Sequence, residues 1–166
     1  MIIRRSTYKT NNQPPSLTMK RQQPDFFYDK AMELARKSSM QHQHGCVIVY
    51  NDKEIIAEGY NHVRNLNMEN IFSIHAEMEA IKKLRQIMRT KDKQFINKCK
   101  LYVVRVGTKS MDYPFKLSSP CLHCAKAINS VGIPRVCYSV SNDEFEEEYI
   151  PKGVKKNVLQ CSNLVM

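Results

Sequence analysis

Glycine is scarce in this chain, at five of 166 residues, and no segment repeats, which excludes a collagen-like or low-complexity protein. No apolar run approaches the ~20 residues needed to cross a bilayer, so a transmembrane span is excluded and no membrane partner is expected. Met1-Ile2-Ile3-Arg4-Arg5 is too short and too soon interrupted to be the apolar part of an export signal. A cytoplasmic, reducing setting is therefore expected, and the six cysteines are not read as a disulfide framework. Acidic residues are missing altogether from positions 1–24.

What is present suffices for one core: 42% of the residues are hydrophobic and 25% charged, which argues for one domain with a tail. The formal charge is +10, and Arg4, Arg5, Lys9, Lys20 and Arg21 supply half of it. Residues 1–24, centred on Asn11-Asn12-Gln13-Pro14-Pro15, are expected to be a disordered basic arm. A second basic run spans Lys82, Lys83, Arg85, Arg89, Lys91, Lys93, Lys98 and Lys100, against Asp92 alone. Such clusters attract phosphates, although many are only solvated faces.

Periodicity predicts a helix from Asp25 through Leu34, then a strand at Cys46–Tyr50 that turns at Asn51-Asp52-Lys53 into a second strand ending near Asn61. A polar loop to Ser73, a helix over 75–89, a strand over 101–106 and a long loop over 107–119 follow. The remainder reads as a helix over 121–131 stopped by Gly132, a strand over 135–140 and a last strand over 145–150. The pattern implies an α/β, three-layer α-β-α sandwich with a mixed sheet of about five strands. Residues 25–153 would form the domain and 154–166 a tail.

Glu77 shares the helix stripe of Ala80, Ile81, Leu84 and Met88, so its carboxylate points into the core. Burial of that kind costs several kcal/mol, of order ~2–7, unless something compensates. Helix capping is the simple alternative. His75 begins the same helix. Cys121 and Cys124 stand at i, i+3 in the first turn of the other short helix, after Pro120, where the dipole favours thiolates. If both helices follow parallel strands, their N-termini meet at one sheet edge. One imidazole and two thiolates leave the fourth zinc position open, as catalytic sites do. A structural zinc would need a further ligand, and His123, the nearest, faces the other side of its helix. Cys121-Leu122-His123-Cys124 also has the spacing of a redox dithiol, a reading that leaves His75 and Glu77 unexplained.

His75-Ala76-Glu77 followed by Pro120-Cys121-Leu122-His123-Cys124 resembles the zinc signature of the cytidine and deoxycytidylate deaminase superfamily. The resemblance extends through His44-Gly45-Cys46-Val47-Ile48-Val49, Gly59-Tyr60-Asn61, Cys124-Ala125-Lys126 and the stretch from Gly132 to Tyr138, closest to deoxycytidylate-type members. It implies one zinc ion per chain on His75, Cys121 and Cys124, with Glu77 as the proton shuttle. It also implies substrate contacts from Asn61, the Ala76 amide and the Ser119 carbonyl, a small nucleoside or nucleotide as partner, and a homo-oligomer. The His-Cys-Cys set resembles the deoxycytidylate and nucleic-acid branches. The short Ser141-Asn142-Asp143 connection predicts an antiparallel last strand, as in free-cytidine members. Adenosine or cytidine deamination on RNA or single-stranded DNA is an alternative, as is an inactive zinc scaffold that binds nucleic acid. Tyr60 stands where the tRNA-adenosine pattern has histidine. Tyr113 and Phe115 are candidates to stack on the base.

Overall fold

The computed structural model describes residues 17–20, 26–67, 70–92, 94–107, 114–142 and 144–150. A seven-stranded sheet is flanked by helices, with α1 (Phe26–Ala35) on one face and α2 (Ala76–Met88) and α3 (Leu122–Val131) on the other. Five strands form its body: β2 (Gln43–Tyr50), β3 (Glu54–Tyr60), β6 (Cys99–Val106), β8 (Arg135–Ser139) and β9 (Glu144–Tyr149). They lie in the order β9-β8-β6-β2-β3. Among the described strands only β6 and β8 pair in parallel; β9 is antiparallel to β8, as the short turn before it predicts.

Alternation along the strands divides the core. Cys46, Ile48, Leu101, Val103 and Val136 pack under α2 and α3, whereas Val47, Val49, Tyr102, Val104 and Val106 pack under α1. Runs apolar at every position are what a sheet covered on both faces requires. Asn51 and Asp52 turn β2 into β3 at φ 57° and 55°, a region these two residue types tolerate. Gly132 ends α3 at φ 88°, as a helix stop should.

Three segments depart from expectation. Within the stretch expected to be a disordered arm, Leu17–Lys20 instead forms β1, antiparallel to β9 from Leu17–Glu147 to Lys20–Glu144. Without it, β9 would present an open edge of unpaired backbone groups. The expected polar loop after Asn61 contains a separate hairpin, β4 (His62–Asn67) and β5 (Asn70–Ile74). The loop over 107–119 contains β7 (Phe115–Lys116), which pairs with the last two residues of β6. Asp25, Tyr113 and residues 151–166 lie outside the described residues.

The connections also differ from a simple parallel crossover. β3 and β6 run the same way, but antiparallel β2 lies between them. The path from β3 through β4, β5 and α2 to β6 still starts α2 at the carboxyl-terminal edge of the like-directed strands. The path from β6 to α3 starts α3 at that same edge.

Candidate metal centre

α2 can lie close on the sheet because β3 has no side chain at Gly59. A Cβ there would collide with the Ala76 carbonyl and stand 2.8 Å from the Ala80 amide. Gly59→Ala is therefore expected to lift the first turn of α2, with its His75 and Glu77, and to destabilise the fold by about 2 kcal/mol or more. Thermal melting checks this; an unchanged midpoint would show that the turn can shift freely. Glu79 ties the same turn to the strand end: its carboxylate accepts the Tyr60 amide at 2.9 Å and lies 3.5 Å from Lys83 Nζ.

His75 is the N-cap residue of α2 and Cys121 that of α3, both with extended backbone and neither side chain spent on capping. Both are left free to turn toward the gap between the helices. The Nδ1 atom of His75 lies 3.5 Å from Cys121 Sγ and 3.3 Å from Cys124 Sγ, and the three donor atoms fall within 4.8 Å of one another. Tetrahedral zinc, with bonds of about 2.3 Å to sulfur and about 2.0 Å to nitrogen, requires N···S edges of about 3.5 Å. The residues thus fit the ion. Among the described residues the group contains three ligands, and exposed His123 is not among them.

Electrostatics support the fit. Burial, the Glu77 carboxylate and the Cys121 thiol all push the Cys124 thiol far above its ordinary pKa. The first-turn position alone suggests the opposite; burial outweighs it, and a thiolate there needs a cation beside it. Glu77 is 4% exposed, within the core as its helix register predicts. Burial raises its pKa, while its own amide, His75 and Cys124 pull the other way. Cys46, Cys99 and Cys137 are buried free thiols, as expected of small core residues, and Cys161 lies outside the described residues.

The remaining expected contacts are placed as follows. Ala76 is buried at the first position of α2, where an amide has no acceptor within its helix. Ser119 is exposed, and its side chain hydrogen-bonds Tyr138, whose hydroxyl donates to Glu146. Asn61 is buried, but its carboxamide is committed to the chain: Oδ1 accepts the His44 amide at 2.7 Å and Nδ2 donates to the His42 carbonyl at 2.6 Å. Phe115 does not face the site. Pairing of β7 with β6 turns it to the α1 side beside Val106, its ring 5.4 Å from that of Phe145.

Two site-edge residues, Ser118 and His44, are given no role by the sequence. Buried Ser118 donates to the Val103 carbonyl at 2.8 Å and accepts the Ser139 amide at 2.9 Å, fastening the Pro120-Cys121 turn to β6 and β8. No spacing rule marks it. His44 is held neutral, its pKa lowered to about 4 chiefly by burial, with Arg105, His75 and His42 adding positive charge nearby. Its Nδ1–H donates to the His42 carbonyl at 3.2 Å, which leaves Nε2 as an acceptor. Because the unfolded chain takes up this proton near pH 6.5 and the fold resists it to about 4, stability is lost as pH falls through that window. The loss reaches up to about 3 kcal/mol. Denaturant titrations at pH 7 and pH 4 should show the gap between wild type and His44→Gln shift by that order; a constant gap contradicts it.

A model of the cytidine and deoxycytidylate deaminase zinc-binding region matches residues 21–140, which includes every residue of this centre. A search of curated sequences finds no match. Among solved structures, cytidine deaminase from Burkholderia pseudomallei is similar at TM-score 0.53 and 16% identity, over 74% of this chain and 89% of that one. The apo dCMP deaminase of cyanophage S-TIM5 is similar at TM-score 0.47 and 22% identity, over 69% and 79%. The Burkholderia likeness shows the fold; the family match, across most of the chain and through both halves of the zinc motif, shows descent. The chain is a member of the cytidine and deoxycytidylate deaminase zinc-binding family.

Proposed function

We propose that the protein is a zinc-dependent hydrolase that removes the amino group of a cytosine nucleoside or nucleotide, giving the uracil compound and ammonia. The observation that carries this reading is a buried carboxyl, Glu77, beside a three-ligand metal group. A ligand-only role would leave that buried acid without a purpose. His75 Nδ1 and the thiolates of Cys121 and Cys124 would hold one ion per chain. Zinc, when bound, supplies a water whose pKa drops from about 15.7 to about 7, a nucleophile at neutral pH.

The chain's own groups supply the rest. Glu77 accepts the proton given up by the attacking water and passes it to the ring nitrogen, then takes the proton of the new hydroxyl on the attacked carbon and gives it to the departing amine as the carbonyl forms. Its burial keeps bulk water from competing and raises its pKa, which makes it a stronger proton acceptor than an ordinary carboxylate. The Ala76 amide and the Ser119 carbonyl offer one donor and one acceptor to the base edge. Asn61 shapes the pocket by holding the His42–His44 segment to the end of β3.

One observation favours a polymer instead: Lys82 and Arg85 of α2 and its C-cap Arg89 are all exposed. Ammonia release separates the readings when run with cytidine, deoxycytidine, their 5′-monophosphates, adenosine and guanine compounds, and single-stranded DNA and RNA. Release confined to cytosine nucleosides and nucleotides is expected. Release from adenosine compounds alone, or from polymers alone, would overturn the substrate assignment.

A further inference from the structure

The face of the sheet under α2 and α3, which carries Cys46 and Val103, continues one step toward the metal edge. Strand alternation places His44 of β2 and Arg105 of β6 on that face, directly opposite each other in register. On the other side of β6, Lys116 of β7 stands directly opposite Arg105. Its neighbour Phe115 is in the α1-side core, so Lys116 takes the opposite face, that of α2 and α3. The result is a row across three strands, His44–Arg105–Lys116. The Ala76 carbonyl packs over Gly59, which pairs with Cys46, so the row lies two residues, about 7 Å, along the strands from the level at which α2 begins.

Such a row is costly without a counter-charge. Like charges directly opposite in a sheet destabilise it, and Arg105 and Lys116 are both half-buried. Among the described residues neither makes an ion pair. Arg105 spends one N–H on His42 Nδ1, at 2.9 Å, a contact that brings it no negative charge.

We propose that Arg105 and Lys116 bind the 5′-phosphate of the substrate and make the enzyme selective for a cytosine nucleoside monophosphate over the nucleoside. This inference rests on the deaminase reading. Two cations on directly opposite positions of paired strands suit a phosphomonoester, with about −1.5 to −2 charges at neutral pH, better than a diester with one. A guanidinium further offers a planar fork matched to two phosphate oxygens. A bare nucleoside leaves the pair as uncompensated as it is alone.

The test is the ratio of kcat/KM for deoxycytidine 5′-monophosphate to that for deoxycytidine, taken on one preparation so that the folded fraction cancels. The ratio should exceed one in wild type. It should fall about 10- to 100-fold in Arg105→Gln, the worth of a charge-assisted hydrogen bond, and about tenfold in Lys116→Gln. An unaltered ratio in both variants overturns the proposal. Calorimetric binding of the same two compounds to zinc-loaded Glu77→Gln, with and without Arg105→Gln, reads the anion site without turnover. If no cytosine compound is deaminated, the deaminase reading fails, while a monophosphate preference lost with Arg105 still upholds the anion site, and no preference overturns it. A deoxycytidine oligonucleotide that binds more tightly than the monophosphate, through Arg105, overturns the choice of a monoester.

Discussion

Glu77→Gln is expected to bind zinc as wild type does, to melt within a few degrees of it, and to lose turnover by at least about 100-fold, with about 10,000-fold in reach. The side chain is buried, and glutamine fills the same space without the charge that burial penalises. The fold therefore has no reason to suffer, whereas the proton has nowhere to go in the first step and no donor in the last. Normal turnover in this variant would remove Glu77 from the mechanism. Lost zinc would make it a ligand rather than a shuttle.

Cys124→Ala has the largest expected effect on the molecule itself. The side chain is fully buried, and its sulfur lies 3.3 Å from His75 Nδ1. Its removal leaves two ligands from a set of three, and metal binding is coupled to folding, at about 10–16 kcal/mol for complete structural zinc sites. Zinc content should fall from one per chain to near zero after dialysis. A chelator should lower the melting point of wild type but not that of the variant. Cys137→Ala is the control, since Cys137 is also buried but sits on the α1 side of the sheet. It should share the cost of a cavity and keep the metal. Full zinc occupancy in Cys124→Ala would refute the ligand set.

The contrast between these thiols is legible in the residue order alone. Cys124 shares a helix turn with Cys121 after a proline, whereas Cys137 sits in an apolar strand. The central strands β2, β6 and β8 announce themselves as apolar runs because helices cover both faces, and α2 announces itself by a stripe that carries Glu77 inward with Ala80 and Ile81. The hairpin of β4 and β5 does not, because His62–Asn67 is rich in asparagine and lies apart from the main sheet, so no burial pattern marks it. β1 is hidden for a related reason: its pairing with β9 satisfies backbone groups, which leave no trace in side-chain periodicity. Arg105 and Lys116 are separated by a loop and meet only because β7 folds back onto β6. Charges that meet through tertiary pairing read in sequence as scattered surface residues. The burial of Asn61 against His42 and His44 belongs to the same class, a contact across the β2–β3 hairpin that no local pattern encodes.

Conversion of a cytosine compound to its uracil product, followed by ultraviolet absorbance with parallel ammonia determination, tests the central claim most directly. Zinc-loaded protein should produce uracil and ammonia in equal amounts, lose the reaction on chelation, and regain it with added zinc. Protein that carries its zinc and yet releases no ammonia from any cytosine nucleoside or nucleotide would contradict the account.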